Sequence, residues 1–490
     1  MKKSFELFEL IKSLNKAEKK YFKSFANQFR DSTESNYVQL FDLIEAQEVY
    51  NEAEIKAKLT NRKFAKNLPF SKNYLYNLLL KCLRNYHSEK SIRIQIREAY
   101  INASILFDRR LNNQALRILT KAEKLATAYQ LHHELLAINL FQRILTRSFP
   151  TKGTMEKMKA LQSKFTNALD QIQREHLLQS HYEELYVISQ PRHAPIEKLD
   201  EIFKQYQNSI DQLIPQEPAS FNELSIRCWT NSVYFRRKKQ FEKSIHHQEI
   251  LITFFKDHPN FLKEYQLRYF GIINNYLGLL ISNYKGTETG KKVQQVIQEF
   301  ENIVPNNSQL RIHKYDILYY LKIIYYLRTR QYENAKLLAP EVWNFLKRYH
   351  HHLSQTRRIT VYYNFSFALF MAREYMKSLD WLEFLLENYD PKVLPDATFF
   401  ARRLQILNHF ELNNDILVEH LMRSMLRKYQ KHKYKPPLQM TLKTIKKIFR
   451  QPSSQKDLLI AHYQETDQRP LLWEIKEWIG QKYNIQENSM

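Results

Sequence analysis

Residues 329–338 read TRQYENAKLL and residues 372–382 read AREYMKSLDWL. In both, a polar pair leads into an aromatic ring, and a small residue follows three positions later: Tyr332 with Ala335, Tyr375 with Ser378. Three positions is close to one helical turn, so ring and small residue share a face of one helix. A ring there plugs the corner between two helices, and the small side chain lets their backbones approach. KKQFEKSIHHQ (238–248) repeats the arrangement with Phe241 and Ser244, and RRLNNQALRIL (109–119) keeps the turn and the small Ala115 without the ring.

The four small residues are separated by 129, 91 and 43 positions, near three, two and one multiples of 43. Stepping by that period into the gaps reaches PTKGTMEKM (150–158), HAPIEKLDE (193–201) and GTETGKKVQ (286–294), each a turn before a helix start. The next step after Ser378 predicts position 421, whereas the visible turn is ELNND, 411–415. A fixed period in the thirties or forties is what stacked helix pairs leave in a sequence.

Glycine usage agrees with an all-α fold. The 490-residue chain holds six glycines, roughly a fifth of the usual share. Dinucleotide folds, P-loops and nucleophile elbows need glycine where backbone turns sharply or meets a ligand. GxGxxG, GxxxxGK[ST] and GxSxG are all absent.

On these turns, and on helix-face residues such as Tyr326, Phe235 and Ala122, the chain resembles the tetratricopeptide-repeat (TPR) superfamily over about residues 95–430. Its texture is also similar to that of bacterial helical-repeat proteins. The sequence departs from the TPR pattern where Ala103, Ser232, Ile323 and Ser366 replace the glycine of the first helix. Its step also exceeds the family's roughly 34 residues; helices of ~18 residues, ~27 Å long, would accommodate the difference. The resemblance implies a right-handed superhelical array of antiparallel helix pairs, a TPR-like α-solenoid, with helical N-terminal and C-terminal caps. The expected organisation is 1–90 as an N-terminal cap or helix-turn-helix-like region, 91–435 as repeats, and 436–490 as a basic C-terminal cap.

In the first region, LNKAEKKYFKSF offers Asn15 as N-cap with Glu18 three residues on, the pattern of a capping box. LPFSKNYLYNLLLKCLRNYH places Ser71 as an N-cap, with Phe70 and Leu75 as a hydrophobic staple. Its apolar stripe is Leu75, Leu78, Leu79, Cys82 and Leu83, with Lys72, Asn73, Tyr76 and Asn77 opposite. Preceded by a short helix over 52–60, this element reads either as a solenoid cap or as the second helix of a helix-turn-helix.

Formal net charge is +24, heaviest at the ends, with a surplus of seven in both 1–100 and 401–490. RKYQKHKYK (427–435) carries five Lys or Arg residues and no acid, and no acid occurs anywhere from Leu421 to Arg450. Arg423, Arg427 and Lys431 lie four apart on one helix, and Pro436 and Pro437 end it. Lys443, Lys446, Lys447 and Arg450 then form a second stripe at i, i+3, i+4 and i+7. Such stripes are either solvated faces or grips for phosphates, so nucleic acid stands as an alternative partner.

Chemistry finds little support in the sequence. No two of the 17 histidines stand three or four apart, and none has an acid three residues before it, so no metal and no cofactor is expected. Cys82 and Cys228 fit no redox or zinc spacing. Glu6 and Glu9 interrupt any apolar run near the N-terminus, and the longest apolar stretches are too short or charge-interrupted to span a bilayer. The expectation is a cytoplasmic, non-catalytic scaffold or adaptor holding a protein or peptide. In the implied groove, the first helix of each pair contributes Trp229, Arg236 and Arg237, then Tyr320 and Arg328, then Tyr363 and Phe367. Aromatic anchors beside arginines suit an extended peptide with acidic groups.

Overall fold

In a computed structural model, the described residues are 3–27, 32–87, 91–148, 150, 152–190, 195–213, 218, 220–429, 439, 443–445, 455–466 and 473–483. Among them no strand occurs; the regular structure is helical. The chain forms two compact units, Met1–Ile317 and Leu318–Met490.

The first unit begins with α1 (Lys3–Ser13), α2 (Lys16–Asn27), α3 (Ser32–Ala46), α4 (Glu52–Lys58), α5 (Arg62–Lys66) and α6 (Leu68–His87). They enclose one core that includes Ile11, Phe22, Phe41, Leu75 and Leu79. The capping box is present: Asn15 Oδ1 accepts from the Glu18 N–H at 3.0 Å, and Glu18 Oε2 accepts from the Asn15 N–H at 2.9 Å.

The start of α6 differs from expectation. The Ser71 N–H bonds the Asn67 carbonyl at 3.0 Å, so Ser71 lies inside the first turn. The helix begins at Leu68, directly after the end of α5, and Phe70 is 70% exposed and staples nothing. Lys72, placed by periodicity on the solvent face, is only 6% exposed and reaches Glu52 at 2.7 Å and the Tyr50 hydroxyl at 3.2 Å.

Next come α7 (Ile92–Asp108), α8 (Asn112–Ala128), α9 (His132–Ser148), α10 (Thr154–Ser189), α11 (Ile196–Leu213), α12 (Phe221–Arg237) and α13 (Phe241–Asp257). They are followed by α14 (Pro259–Glu264), α15 (Gln266–Ser282), α16 (Thr287–Asn302) and α17 (Ser308–Arg328), within which the unit boundary falls. In the second unit, α18 (Tyr332–Tyr349), α19 (Gln355–Met371), α20 (Tyr375–Asn388) and α21 (Pro395–Glu411) lead to α22 (Asp415–Lys428). Two further helices cover Gln455–Thr466 and Trp473–Lys482. Neighbours in sequence are neighbours in space: α7 packs on α8, α9 on α10, α12 on α13, α15 on α16, α19 on α20 and α21 on α22.

One turn recurs between helices. Arg110, Gln130, Lys239, Arg330, Arg373 and Asn413 all adopt left-handed backbone, with φ between 54° and 62°. The N–H of the following residue reaches back to the carbonyl five positions earlier at 2.8–2.9 Å, as in Gln240 to Phe235 and Glu374 to Leu369. That is the Schellman termination, which ordinarily favours glycine at the left-handed position. Here Arg, Lys, Gln or Asn occupies it, so a glycine-poor chain still turns tightly.

After five of the six turns, all but that at Gln130, the carbonyl of the next residue accepts the first bond of the next helix from Ala115, Ser244, Ala335, Ser378 or Val418. Those five side chains are 0% exposed. Twelve residues earlier, on the preceding helix, stand Ala103, Ser232, Ile323, Ser366 and Ile406, all buried. Gly278 on α15 and the buried Gly290 on α16 have the same separation. Along 244, 290, 335, 378 and 418 the steps are 46, 45, 43 and 40. The last step falls short of the predicted 421 because α20 has 14 residues where α18 has 18.

Packing also joins distant segments of the first unit. The Glu264 carboxylate accepts the Ile92 N–H at 3.2 Å, capping α7 from 172 positions away, and Gln130 Oε1 caps α12 through the Phe221 N–H at 2.6 Å.

Candidate functional site

Three helix faces in the first unit converge on a cleft of about 480 Å³. From α10 and its C-cap come Tyr182, Tyr186 and Gln190, four apart and therefore one stripe. From α12 come Trp229, Ser232 and Arg236, and from α15 Arg268, Gly271 and Asn275. The rings form a short ladder, with Tyr182 5.9 Å from Trp229 and 5.8 Å from Tyr186. Burial raises the Tyr182 phenol above its ordinary value while the nearby Arg236 charge opposes the shift, so Tyr182 stays a neutral donor. The Arg268 guanidinium lies 5.5 Å from the centre of the Trp229 ring and donates to Asn222 Oδ1 at 2.9 Å. Burial lowers its pKa, yet an arginine so shifted remains charged near neutrality. Neither Arg236 nor Arg268 forms an ion pair among the described residues.

The floor of the cleft is a polar network. Ser244 Oγ donates to the Ser232 carbonyl at 2.8 Å, and the Ser232 hydroxyl meets Ser244 Oγ at 2.8 Å. Its proton committed there, Ser232 Oγ accepts from Gln248 Nε2 at 2.9 Å. That fixes the Gln248 amide and leaves its Oε1 buried with no donor among the described residues. The cleft therefore offers two guanidinium groups and three aromatic rings. Gly271 adds width, since a Cβ there would meet no atom within 4 Å.

Trp229 and Arg236, seven positions apart on α12, both line this cleft, and Arg237 is half-buried on the same helix. Tyr182, Tyr186, Gln248 and Arg268 were missed. The Tyr-x-x-x-Tyr-x-x-x-Gln stripe at 182–190 was a readable signal, but nothing in the sequence paired it with α15. In the second unit, Tyr320 lies beneath the Arg357 guanidinium at 3.9 Å, and Arg328 is exposed. Tyr363 is buried and Phe367 is 1% exposed, so these two serve the interior and present no groove surface.

Of the basic stripes, Lys431, Lys446, Lys447 and Arg450 lie outside the described residues. Arg423, Arg427 and Lys443 are exposed. Arg423 requires a correction: Glu419, one turn earlier, accepts from its Nη2 at 2.8 Å, so this cation is neutralised within its own helix.

Both cysteines are buried, and burial pushes the Cys82 thiol up to about 11 and Cys228 up to about 12, the opposite of an activated nucleophile. Among the described residues no group of three His, Cys, Asp or Glu is placed to hold a metal ion, and no helix is long and apolar enough to cross a membrane. No family model, curated protein or solved structure matches the chain.

Proposed function

We propose that this chain is a cytoplasmic, non-catalytic scaffold or adaptor built as a TPR-like, right-handed α-solenoid, and that the α10–α12–α15 cleft holds an extended peptide. The supporting observation is that Arg236 and Arg268, neither of them in an ion pair among the described residues, stand beside the Tyr182–Trp229 ring ladder. An acidic side chain or terminal carboxylate satisfies the guanidinium groups. An apolar or aromatic side chain covers the rings. Random peptides displayed on phage and selected on the full chain test this. Selected sequences should combine an acid with an aromatic or large apolar residue. Gly271→Leu, which fills the cleft from a position with free space, and Trp229→Ala should each weaken them at least tenfold. Peptides that bind both variants unchanged would refute this placement.

A second reading, binding of nucleic acid, draws on the end of α22. Burial and the like charge of Arg402 lower the Lys428 pKa, a repulsion that a polyanion would relieve. Contact with five phosphates should give a log–log salt slope of roughly −3 to −4.5. Absence of nucleic-acid binding at low salt removes this reading.

A further inference from the structure

The last turns of α10 wall two separate spaces. One stripe of the helix, Tyr182 and Tyr186, faces the peptide cleft. The next stripe round, Glu183, Glu184, Val187 and Ile188, faces a groove of about 580 Å³ between α10 and α11. The opposite wall comes from Lys198, Glu201, Ile202 and Gln205 on α11. These positions cover about two turns of each helix, so the groove is roughly 10 Å long. Its floor is apolar: Ile202 is buried, Ile188 is half-buried, and Val187 stands 66% exposed. A docked apolar side chain would take Val187 and Ile188 out of water together.

Charge sets the groove apart from the rest of the chain. Residues 183–201 hold five acids and two bases, in a protein of net charge +24. Acids on the nearby α13 and α16 are matched: Glu242, Glu249 and Glu299 each meet a lysine of the facing helix at 2.5–3.0 Å. Glu183, Glu184 and Glu201 line the groove with no ion pair among the described residues, and Glu183 only accepts from Gln179 Nε2 at 2.7 Å. Lys198 shares the groove without pairing to any of them, so three carboxylates face one ammonium. An occupant that covers the apolar floor also draws these carboxylates out of water, which is unfavourable unless it brings cations to them. Lysine and arginine meet both demands, with an apolar stem on the floor and a charged head at the rim.

We propose that the α10–α11 groove docks a cationic amphipathic helix of another protein. Leucine-sized side chains one turn apart cover Val187 and Ile188, and flanking lysines or arginines reach Glu183, Glu184 and Glu201. The chemistry is opposite in sign to that of the cleft on the neighbouring stripe of α10, which offers arginines.

Fluorescence anisotropy on the full chain tests this with a labelled peptide of leucine and lysine in helical amphipathic order, LKKLLKLLKKLLKL. The protein's overall positive charge repels this probe, so saturable binding at low salt has to come from a local acidic surface. Reversing charge in a Glu184→Lys, Glu201→Lys double variant should weaken binding at least tenfold. Val187→Ser, an exposed position whose change leaves the fold intact, should weaken it about fivefold. Trp229→Ala, in the other cleft, should bind the probe as wild type does. No saturable binding, or equal affinity in wild type and the double variant, would overturn the proposal. So would a second copy as the occupant, seen in light scattering as a wild-type dimer that the double variant converts to monomer.

Discussion

Ser244 on α13 donates its hydroxyl to the Ser232 carbonyl on α12 at 2.8 Å, and Ser378 on α20 does the same to Ser366 on α19, also at 2.8 Å. The two sites lie 134 residues apart and use the same twelve-residue separation across the same left-handed turn. A hydroxyl that bonds the facing backbone allows a contact that alanine would fill but leave unlinked. Ser244→Ala should destabilise by about 1–2 kcal/mol through the lost buried bond. Ser244→Val adds overpacking and should cost about 3 kcal/mol. Urea denaturation measures both, and equal stability of the alanine variant and wild type would show that the bond adds nothing.

The turn itself makes the opposite prediction. Lys239 and Arg373 carry a Cβ in left-handed backbone, an unfavourable conformation for an L-residue by about 1–2 kcal/mol. Glycine relieves that strain and gives back part of it as unfolded-chain entropy. Lys239→Gly and Arg373→Gly should each stabilise by about 0.5 kcal/mol net, whereas Lys239→Val should destabilise by more than about 1 kcal/mol. Thermal denaturation with all three variants decides the sign.

Core and cleft separate by mutation. Tyr363→Ala removes a buried ring and should lower stability by about 3 kcal/mol. Trp229→Ala, at a half-buried ring open to the cleft, should cost less than half of that. The Tyr363 hydroxyl is buried without a partner among the described residues, so Tyr363→Phe should be neutral or stabilising by up to about 1 kcal/mol. Chemical denaturation midpoints rank the three.

Acid should act through Glu52. Hydrogen bonds from Lys72 and then Lys56 hold its carboxyl down to about 2 in the folded protein. A carboxyl lowered on folding adds stability above its unfolded value of about 4.3, and that contribution disappears as pH falls towards 2. Wild type should therefore exceed Glu52→Gln in stability at neutral pH, and the gap should close between about pH 4 and pH 2. Denaturation midpoints across that range measure it; a gap that does not vary with pH would mean Glu52 is not held by these lysines.

The cysteines should be silent in the native protein. At pKa values of about 11 and 12, thiolate populations at neutral pH lie at least two orders of magnitude below those of a free cysteine. Iodoacetamide followed by mass spectrometry should show Cys82 and Cys228 unlabelled until denaturant is added. Fast labelling of either would place that thiol in a different environment.

What the sequence determined is local. A helix end, a left-handed residue, and a small side chain five positions on are set by neighbours in the chain, so the Ala115, Ser244, Ala335 and Ser378 turns were legible from residue types and spacing alone. The Asn15–Glu18 cap was legible for the same reason. Tertiary structure decided what depends on distant partners. Lys72 sits on the polar side of its own helix, yet α4 brings Glu52 over it and buries it. Tyr363 and Trp229 occupy similar places in their helices, but α21 brings Phe400 within 6.4 Å of the first, whereas α10 and α15 leave the second at the wall of a cleft. Periodicity assigns a side chain to a face of its helix; only the packing of the other helices determines whether that face meets protein or open space.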